Sequence, residues 1–260
     1  MNIAQALILG LIQGVAEFLP ISSSGHLVMA QYFMGWVESD LLFSVFLHAG
    51  TLLAVMIFFW RELISLSLHE VRLILVSAIP AALVGLLFGD ILTQIFNLEV
   101  IVGGALLVTG LMNLISDQKL TQRDQTAVQS AQSSQTVQSY TVQQALVVGL
   151  FQAVALIPGI SRSGSTVLGS IIQGIDRRQA FKFSFIMSVP VIIGAMILQL
   201  IEALQQDVTI AVLPWAFGFV MSFVVGLASL YLLRLVIEKS KLRIFGIYCL
   251  LAGVAVLIII

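Results

Sequence analysis

"QALILGLIQGVAEFLPISSSG", residues 5–25, has the pattern of an apolar helix that stops at a proline and a run of serines. A second stretch, QALVVGLFQAVALIPGISRSG at residues 144–164, aligns with it without gaps, and 12 of the 21 positions are identical. Self-similarity of this length predicts two copies of one structural unit. We therefore expect a fold built from two related halves.

The composition is that of a membrane protein. The 260 residues are 59% hydrophobic and 10% charged, with a mean hydropathy of +1.08, whereas soluble domains carry about 25% charged residues. Long apolar runs recur, rather than short alternating strands, so we predict an all-α polytopic helical bundle. The net charge of −1 says little about partners, and the lack of a basic run argues against a nucleic-acid partner. The single cysteine, Cys249, excludes an intrachain disulfide, and we expect it to be a packing residue.

Six apolar runs predict full transmembrane helices, at residues 41–60, 73–88, 100–115, 183–201, 213–233 and 244–260. Two further regions, 2–36 and 141–175, are apolar at both ends and polar in the middle. Irregular backbone at membrane depth is tolerated only where it is buried in protein or lines a wet cavity. These two regions therefore predict re-entrant helical hairpins.

The basic residues predict the orientation. Every Lys and Arg except Arg162 falls in one of four loops, at 61–72, 117–124, 176–182 and 234–243. With six crossings and two hairpins these loops share one side, which the positive-inside rule makes the cytoplasm. Both chain termini then lie on the opposite side.

Each related stretch precedes three crossings, and three is odd, so the second copy is predicted to be inverted. The predicted organisation is a first repeat at 1–117, a flexible Gln/Ser-rich linker at 118–139 and an inverted repeat at 140–260. Together they form one functional domain. Such inverted repeats place binding sites near the membrane midplane, between the halves.

Three ionisable side chains stand out in the hairpin regions: Glu17, His26 and Arg162. An ionisable group at membrane depth costs roughly 2.5–3.5 kcal/mol and usually has a function and a partner. In the alignment Glu17 corresponds to Leu156, and Arg162 corresponds to Ser23. The halves therefore complement each other, and we predict a site where the hairpin loops meet.

The loops are suited to an anion, because short hydroxyls, glycines and helix N-termini favour negative charge. The candidate phosphate-binding residues are Ser22, Ser24, Gly25, Gly159, Ser161, Ser163, Gly164 and Thr166, with Ser165 nearby. Arg162 adds a planar fork that suits two phosphate oxygens.

Metal and acid–base roles also have candidates in the first hairpin. Gln13 and Glu17 share one helix face and could hold a divalent cation through oxygen ligands. His26 could be the nucleophile or a general acid/base. Ser23 is the alternative nucleophile, provided that His26 activates it.

Other interpretations remain open at this stage. Serine and glycine clusters also serve close helix packing, and His48, in the run FSVFLHAGTLL, suits either the site or the core. The alternative function is that of a transporter or flippase for an anionic lipid or solute. Glu17 and His26 favour catalysis, because transport needs no activated nucleophile.

Two segments, QGVAEFLPISSSGH at 13–26 and PGISRSGST at 158–166, resemble the signatures of the BacA-type undecaprenyl-diphosphatase family. The resemblance extends over essentially the whole chain. It implies a phosphatase of the bacterial inner membrane that converts undecaprenyl diphosphate to undecaprenyl phosphate. That product is the recycled lipid carrier of peptidoglycan synthesis, and family members confer bacitracin resistance when abundant.

The resemblance also implies site residues and a cofactor. Gln13 and Glu17 match the family's acidic pair, (E/Q)xxxE, and Ser23 and His26 match its motif serine and histidine. The second signature places Ser161, Arg162, Ser163 and Thr166 in the phosphate pocket. The implied cofactor is Mg²⁺ or Ca²⁺, and the implied access is periplasmic. Because Gln13 replaces a carboxylate, the cation would depend on Glu17 and the diphosphate. The oligomeric state is left open, a homodimer included.

Overall fold

The computed structural model describes residues 1–35, 40–96, 98–130, 140–204, 212–238 and 242–260. Within these residues the chain is helical and contains no β-strand, so the all-α class is confirmed. The helices are α1 (Ile3–Ala16), α2 (Ser23–Phe33), α3 (Leu41–Phe58), α4 (Trp60–Ile64), α5 (Leu68–Phe96), α6 (Glu99–Ser130), α7 (Val142–Val154), α8 (Arg162–Ile172), α9 (Arg177–Leu204), α10 (Val212–Glu238) and α11 (Leu242–Ile259).

Among the described residues, five helices are long and apolar enough to cross a membrane: α5, α6, α9, α10 and α11. Helix α3 is also apolar, and its 18 residues lie near the lower limit for a span. Large apolar side chains such as Leu86, Leu87 and Leu251 are exposed on these helices, as expected for a lipid-facing surface. The chain is therefore a multi-pass membrane protein.

The helix pairs follow the repeat. Helix α1 packs against α10, and its counterpart α7 packs against α5. Likewise α3 packs on α10 and α9 on α5, while α6 packs on α11 and α3 on α9. These pairs arise when a two-fold axis relates the two halves. The axis exchanges α1 with α7, α3 with α9, α5 with α10, and α6 with α11.

Close contacts at small residues show the relative directions of the packed helices. A Cβ on Gly10 would lie 3.2 Å from the Gly218 Cα, and one on Gly14 would lie 2.9 Å from the Gly226 nitrogen. Helices α1 and α10 therefore run in the same direction at short range, which small residues permit. Helix α6 runs antiparallel to α11, because Gly103 faces Val256 whereas Gly110 faces Gly246.

The structure differs from the sequence prediction at the linker. Helix α6 continues through Ser130, so residues 118–130 of the predicted flexible linker are helical. The physical reason is that a transmembrane helix is already nucleated, and the Gln, Lys, Arg and Ala that follow have good helix propensity. Residues 131–139 lie outside the described part of the chain. The repeat boundaries at 1–117 and 140–260 remain predictions.

Candidate functional site

The first hairpin consists of α1, a short irregular segment and α2. Helix α1 begins in a capping box formed by Asn2 and Gln5 and ends beside Glu17. The backbone then turns at Ser22, whose φ of 71° is unusual for a residue other than glycine. The Ser22 side chain caps α2 by accepting a hydrogen bond from the Gly25 N–H, at 3.3 Å. Strain of this kind often accompanies functional sites, where the surrounding structure holds it in place.

The second hairpin repeats these local features 139 positions later. Thr141 and Gln144 form the capping box of α7, and Ser161 caps α8 by accepting from the Gly164 N–H, at 3.2 Å. The left-handed turn is placed differently, at Gly159 with φ 96°. The sequence repeat therefore encodes matching helix starts, whereas the two turns between the helices differ.

The two hairpin loops meet, as the sequence predicts. A Cβ on Gly25 would lie 3.0 Å from the Gly159 Cα, and the Gly159 N–H donates to Ser24 Oγ at 3.4 Å. Helix α6 binds both loops: Asn113 Nδ2 donates to the Pro20 carbonyl at 2.6 Å, and Thr109 Oγ1 donates to the Gly159 carbonyl at 2.8 Å. The loops are thus fixed to each other and to one helix.

Glu17 is the centre of the site. Its Oε1 forms an ion pair with Arg162 Nη2 across the two hairpins. Its Oε2 accepts from Ser23 Oγ at 2.7 Å and from Gln13 Nε2 at 3.1 Å, and it lies 3.3 Å from His48 Nε2. The Glu17 side chain is 5% exposed and that of Arg162 is 17% exposed. The one carboxylate and the one guanidinium of the two hairpin regions are therefore in direct contact.

Arg162 is held from its other side by α9. Its Nη1 donates to the Ser184 carbonyl at 3.3 Å, and its guanidinium lies 5.9 Å from the centre of the Phe185 ring. Because this side chain remains partly exposed while held at two points, it can offer N–H groups to an anion that reaches the loops.

The predicted catalytic and phosphate-binding residues of the two loops and the helices that follow them fall into two groups. Ser23, Ser24, His26 and Arg162 are half-buried and accessible. The others are buried, namely Ser22, Gly25, Gly159, Ser161, Ser163, Gly164 and Thr166. Their hydroxyls bond within the protein: Thr166 donates to the Arg162 carbonyl at 2.8 Å, and Ser163 to the Leu19 carbonyl at 3.4 Å. The buried hydroxyls therefore shape the loops, and the half-buried side chains are the ones that a ligand at the loops could contact.

His26 is not bonded to Ser23. Within the described residues, its Nδ1 bonds the Ser22 carbonyl at 2.7 Å, and its Nε2 bonds Tyr248 Oη at 2.7 Å. The His26 and Tyr248 rings also stack, with centroids 5.6 Å apart. Because a carbonyl only accepts, Nδ1 carries the proton, and a neutral ring receives the tyrosine hydroxyl at Nε2. In this structure Glu17, and not His26, accepts the Ser23 hydroxyl hydrogen.

Gln13 has a free acceptor at the site. Its side chain is fully buried, its Nε2 reaches Glu17 and Thr51, and its Oε1 has no hydrogen-bond partner among the described residues. An unpaired buried oxygen beside a carboxylate is a suitable ligand for a hard cation. Among the described residues no three His, Cys, Asp or Glu side chains cluster as metal ligands. The residues present therefore fit a cation that also takes ligands from a bound phosphate.

Comparison with known proteins identifies the family of the chain. The family model described as bacitracin resistance protein BacA matches residues 6–255. The chain belongs to the BacA family. It is 39% identical to an undecaprenyl-diphosphatase of Methanococcus maripaludis, with 97% of this chain and 98% of that protein covered. Undecaprenyl-diphosphatases of Halothermothrix orenii and Pelobacter propionicus are 37% and 36% identical over all of this chain and 98% of their own length.

Several residues around the site of this BacA family member could not be found from the sequence. Thr51 of α3, Asn113 of α6 and Tyr248 of α11 contact the hairpins but lie in apolar runs. His48 of α3, which the sequence left open between site and core, also contacts the first hairpin. The only available signal was a polar side chain inside a membrane segment, which suits packing equally well. Their roles depend on which helices pack together, and that information is not local in sequence.

Proposed function

We propose that the chain is a membrane phosphatase that hydrolyses undecaprenyl diphosphate to undecaprenyl phosphate and inorganic phosphate. The product returns the lipid carrier to cell-wall synthesis, and a high level of the enzyme confers bacitracin resistance. The names of the relatives support this substrate. The observation that carries the proposal is the buried carboxylate of Glu17, which joins Arg162 of one hairpin to Ser23 of the other.

Ser23 is the nucleophile that this geometry favours. Its hydroxyl already points its hydrogen at Glu17 Oε2, at 2.7 Å. Glu17 takes that proton as Ser23 Oγ bonds to the terminal phosphorus, and the bond from that phosphorus to the bridging oxygen breaks. Undecaprenyl phosphate leaves, and water then cleaves the phosphoserine to free the enzyme. His26 lies three residues after Ser23 on α2, so its side chain would lie near the leaving group or near the water that attacks the phosphoserine.

Arg162 stabilises the transferring phosphoryl group. It pairs with Glu17 in the structure, so an incoming diphosphate would replace one anionic partner of Arg162 with another. Its planar fork suits two equatorial phosphoryl oxygens, on which charge is spread in the transition state. Ser24 Oγ and the N–H groups at the start of α2 contribute further donors.

A divalent cation, Mg²⁺ or Ca²⁺, is part of the proposal. Gln13 Oε1 and a Glu17 oxygen would hold it, with the remaining ligands from the diphosphate. The cation supplies charge neutralisation on the phosphate oxygens. Gln13 is neutral, so the protein provides one carboxylate only, and the cation binds together with the substrate.

The proposed topology has six crossings and two re-entrant hairpins, in the bacterial inner membrane, with both termini in the periplasm. The parallel packing of α1 and α10 supports it, because the first residues of both helices then lie on the same side of the membrane. An apolar groove between α3, α9 and α10, of about 490 Å³, is lined by Val45, Ile197 and Trp215. Val45 lies one helical turn before His48, so we place the start of the polyprenyl tail in this groove.

Phosphate release tests the proposed function. The purified chain in detergent, supplied with undecaprenyl diphosphate and Mg²⁺, is expected to release phosphate, and a chelator is expected to stop the release. Arg162→Ala is expected to abolish it, whereas Arg61→Ala, which removes an exposed arginine, retains it. Absence of release from the parent chain, or release that survives both Arg162→Ala and His26→Ala, would refute the phosphatase. Lipid scrambling without phosphate release would favour the transporter.

Reporter fusions test the orientation. A reporter fused after residue 97 or 206 is expected to be periplasmic, because the loops there are acidic and free of Lys and Arg. One fused after residue 123 or 241 is expected to be cytoplasmic. The reverse pattern would invert the topology.

A further inference from the structure

His48 is a half-buried polar group that the proposed reaction does not yet use. It lies in α3, with its side chain 24% exposed, and its Nε2 is 3.3 Å from Glu17 Oε2. Its Nδ1 is 2.7 Å from the Ser44 carbonyl of the preceding helical turn. Both ring nitrogens are thus engaged, one with its own helix and one with the centre of the site.

The two partners determine what the ring can do. A backbone carbonyl only accepts, so Nδ1 donates to Ser44. A carboxylate oxygen that already receives other N–H and O–H groups also only accepts, so Nε2 donates to Glu17. The geometry therefore makes His48 a donor at both ends, with its ring orientation set by the bond to Ser44.

Helix α3 supports α1 at a second point one turn later. Thr51 Oγ1 lies 3.3 Å from Gln13 Nε2 and donates to the His48 carbonyl at 3.0 Å. Gln13 in turn donates to Glu17 Oε2. His48 thus belongs to a hydrogen-bonded network that reaches the carboxylate directly and through Gln13.

We propose that His48 is a positioning residue that holds Glu17 Oε2 while Arg162 exchanges from Glu17 to the phosphate. This inference rests on the proposed function. A buried carboxylate that loses the guanidinium beside it is strongly destabilised unless another donor stays on it. His48 remains on Oε2 when Arg162 leaves Oε1, so the carboxylate keeps a partner and Ser23 keeps its proton acceptor.

Two variants of His48 separate the bond to Glu17 from the bond to Ser44. In His48→Gln the side-chain amide can still reach Glu17, whereas in His48→Asn it is one carbon shorter and can reach Ser44 only. We expect His48→Asn to lower kcat by roughly tenfold to hundredfold, with a smaller change in KM. His48→Gln should remain within about fivefold of the parent, because it retains the donor. His69→Asn, at an exposed position, is the matched control and should have parental kinetics.

An infrared measurement tests the same contact without turnover. The carboxylate stretching bands of Glu17, isolated by subtracting the spectrum of Glu17→Gln, should shift in His48→Asn and shift much less in His48→Gln. Equal kcat in all three proteins, or bands that do not move in His48→Asn, would overturn the inference. A parent chain without phosphate release would refute the proposed function instead, and the infrared bands would still decide whether His48 holds Glu17.

Discussion

Glu17→Gln is expected to lower kcat by at least about a thousandfold. The substitution removes the proton acceptor of Ser23 and a ligand of the proposed cation, and a general base alone contributes about 10²- to 10⁴-fold. It also leaves Arg162, which is 17% exposed, without its carboxylate partner. Binding of the lipid should change less than turnover, because the polyprenyl groove does not include Glu17.

Single-turnover release of phosphate, followed by acid quenching, measures this effect. The parent chain is expected to yield an acid-stable phosphoenzyme, as a phosphoserine would be, and Glu17→Gln is expected to yield none. A phosphoenzyme labile to acid but stable to base would instead assign the nucleophile to His26. Glu62→Gln, in the short helix α4, is the matched control and should retain parental turnover. A Glu17→Gln protein that is folded and turns over normally would exclude Glu17 as the base.

Gly159→Ala is expected to destabilise the folded chain by about 2–5 kcal/mol, the sum of a left-handed backbone cost and a steric cost. Its φ is 96°, and an added Cβ would lie 2.6 Å from the Val102 carbonyl oxygen and 2.7 Å from the Ala105 Cβ. Both obstacles belong to the backbone or the first side-chain atom of α6, so neither can rotate away. The loop should separate from α6 and carry Arg162 with it.

The shift of the denaturant midpoint in detergent measures this loss. Gly104→Ala provides the matched control. Gly104 lies on α6, the helix that Gly159 contacts, and an added Cβ there would have nothing within 4 Å. That variant should be neutral or slightly more stable, since alanine is the better helix former. An unchanged midpoint for Gly159→Ala would show that the loop can shift without cost.

The sequence predicted the elements that are encoded locally. The sequence repeat predicted where both helix–loop–helix hairpins lie in the chain. In the structure their first helices begin with matching capping boxes, at Asn2 and Thr141. The complementary placement of Glu17 and Arg162 predicted that both lie in one site between the hairpin loops, and the structure brings them into an ion pair. A charge at membrane depth usually has a partner, but the sequence did not assign Arg162 to Glu17.

The remaining features depend on packing between distant helices. The sequence could not decide between core and site for His48, and the contact with Glu17 exists only because α3 packs beside α1. Activation of Ser23 by His26 was the expected alternative, whereas the structure directs Ser23 to Glu17 and His26 to Tyr248. Side-chain direction on a short helix is set by its neighbours and not by spacing alone.

Helix α6 sets the distance between the two hairpin loops. Thr109 and Asn113, which hold the two loops, are four residues apart and therefore about 6 Å apart along the helix axis. That separation comes from the repeat of a hydrogen-bonded helix, which lipid composition does not change. The spacing between Glu17 and Arg162 should consequently be the same in a thin bilayer, a thick bilayer or a detergent micelle.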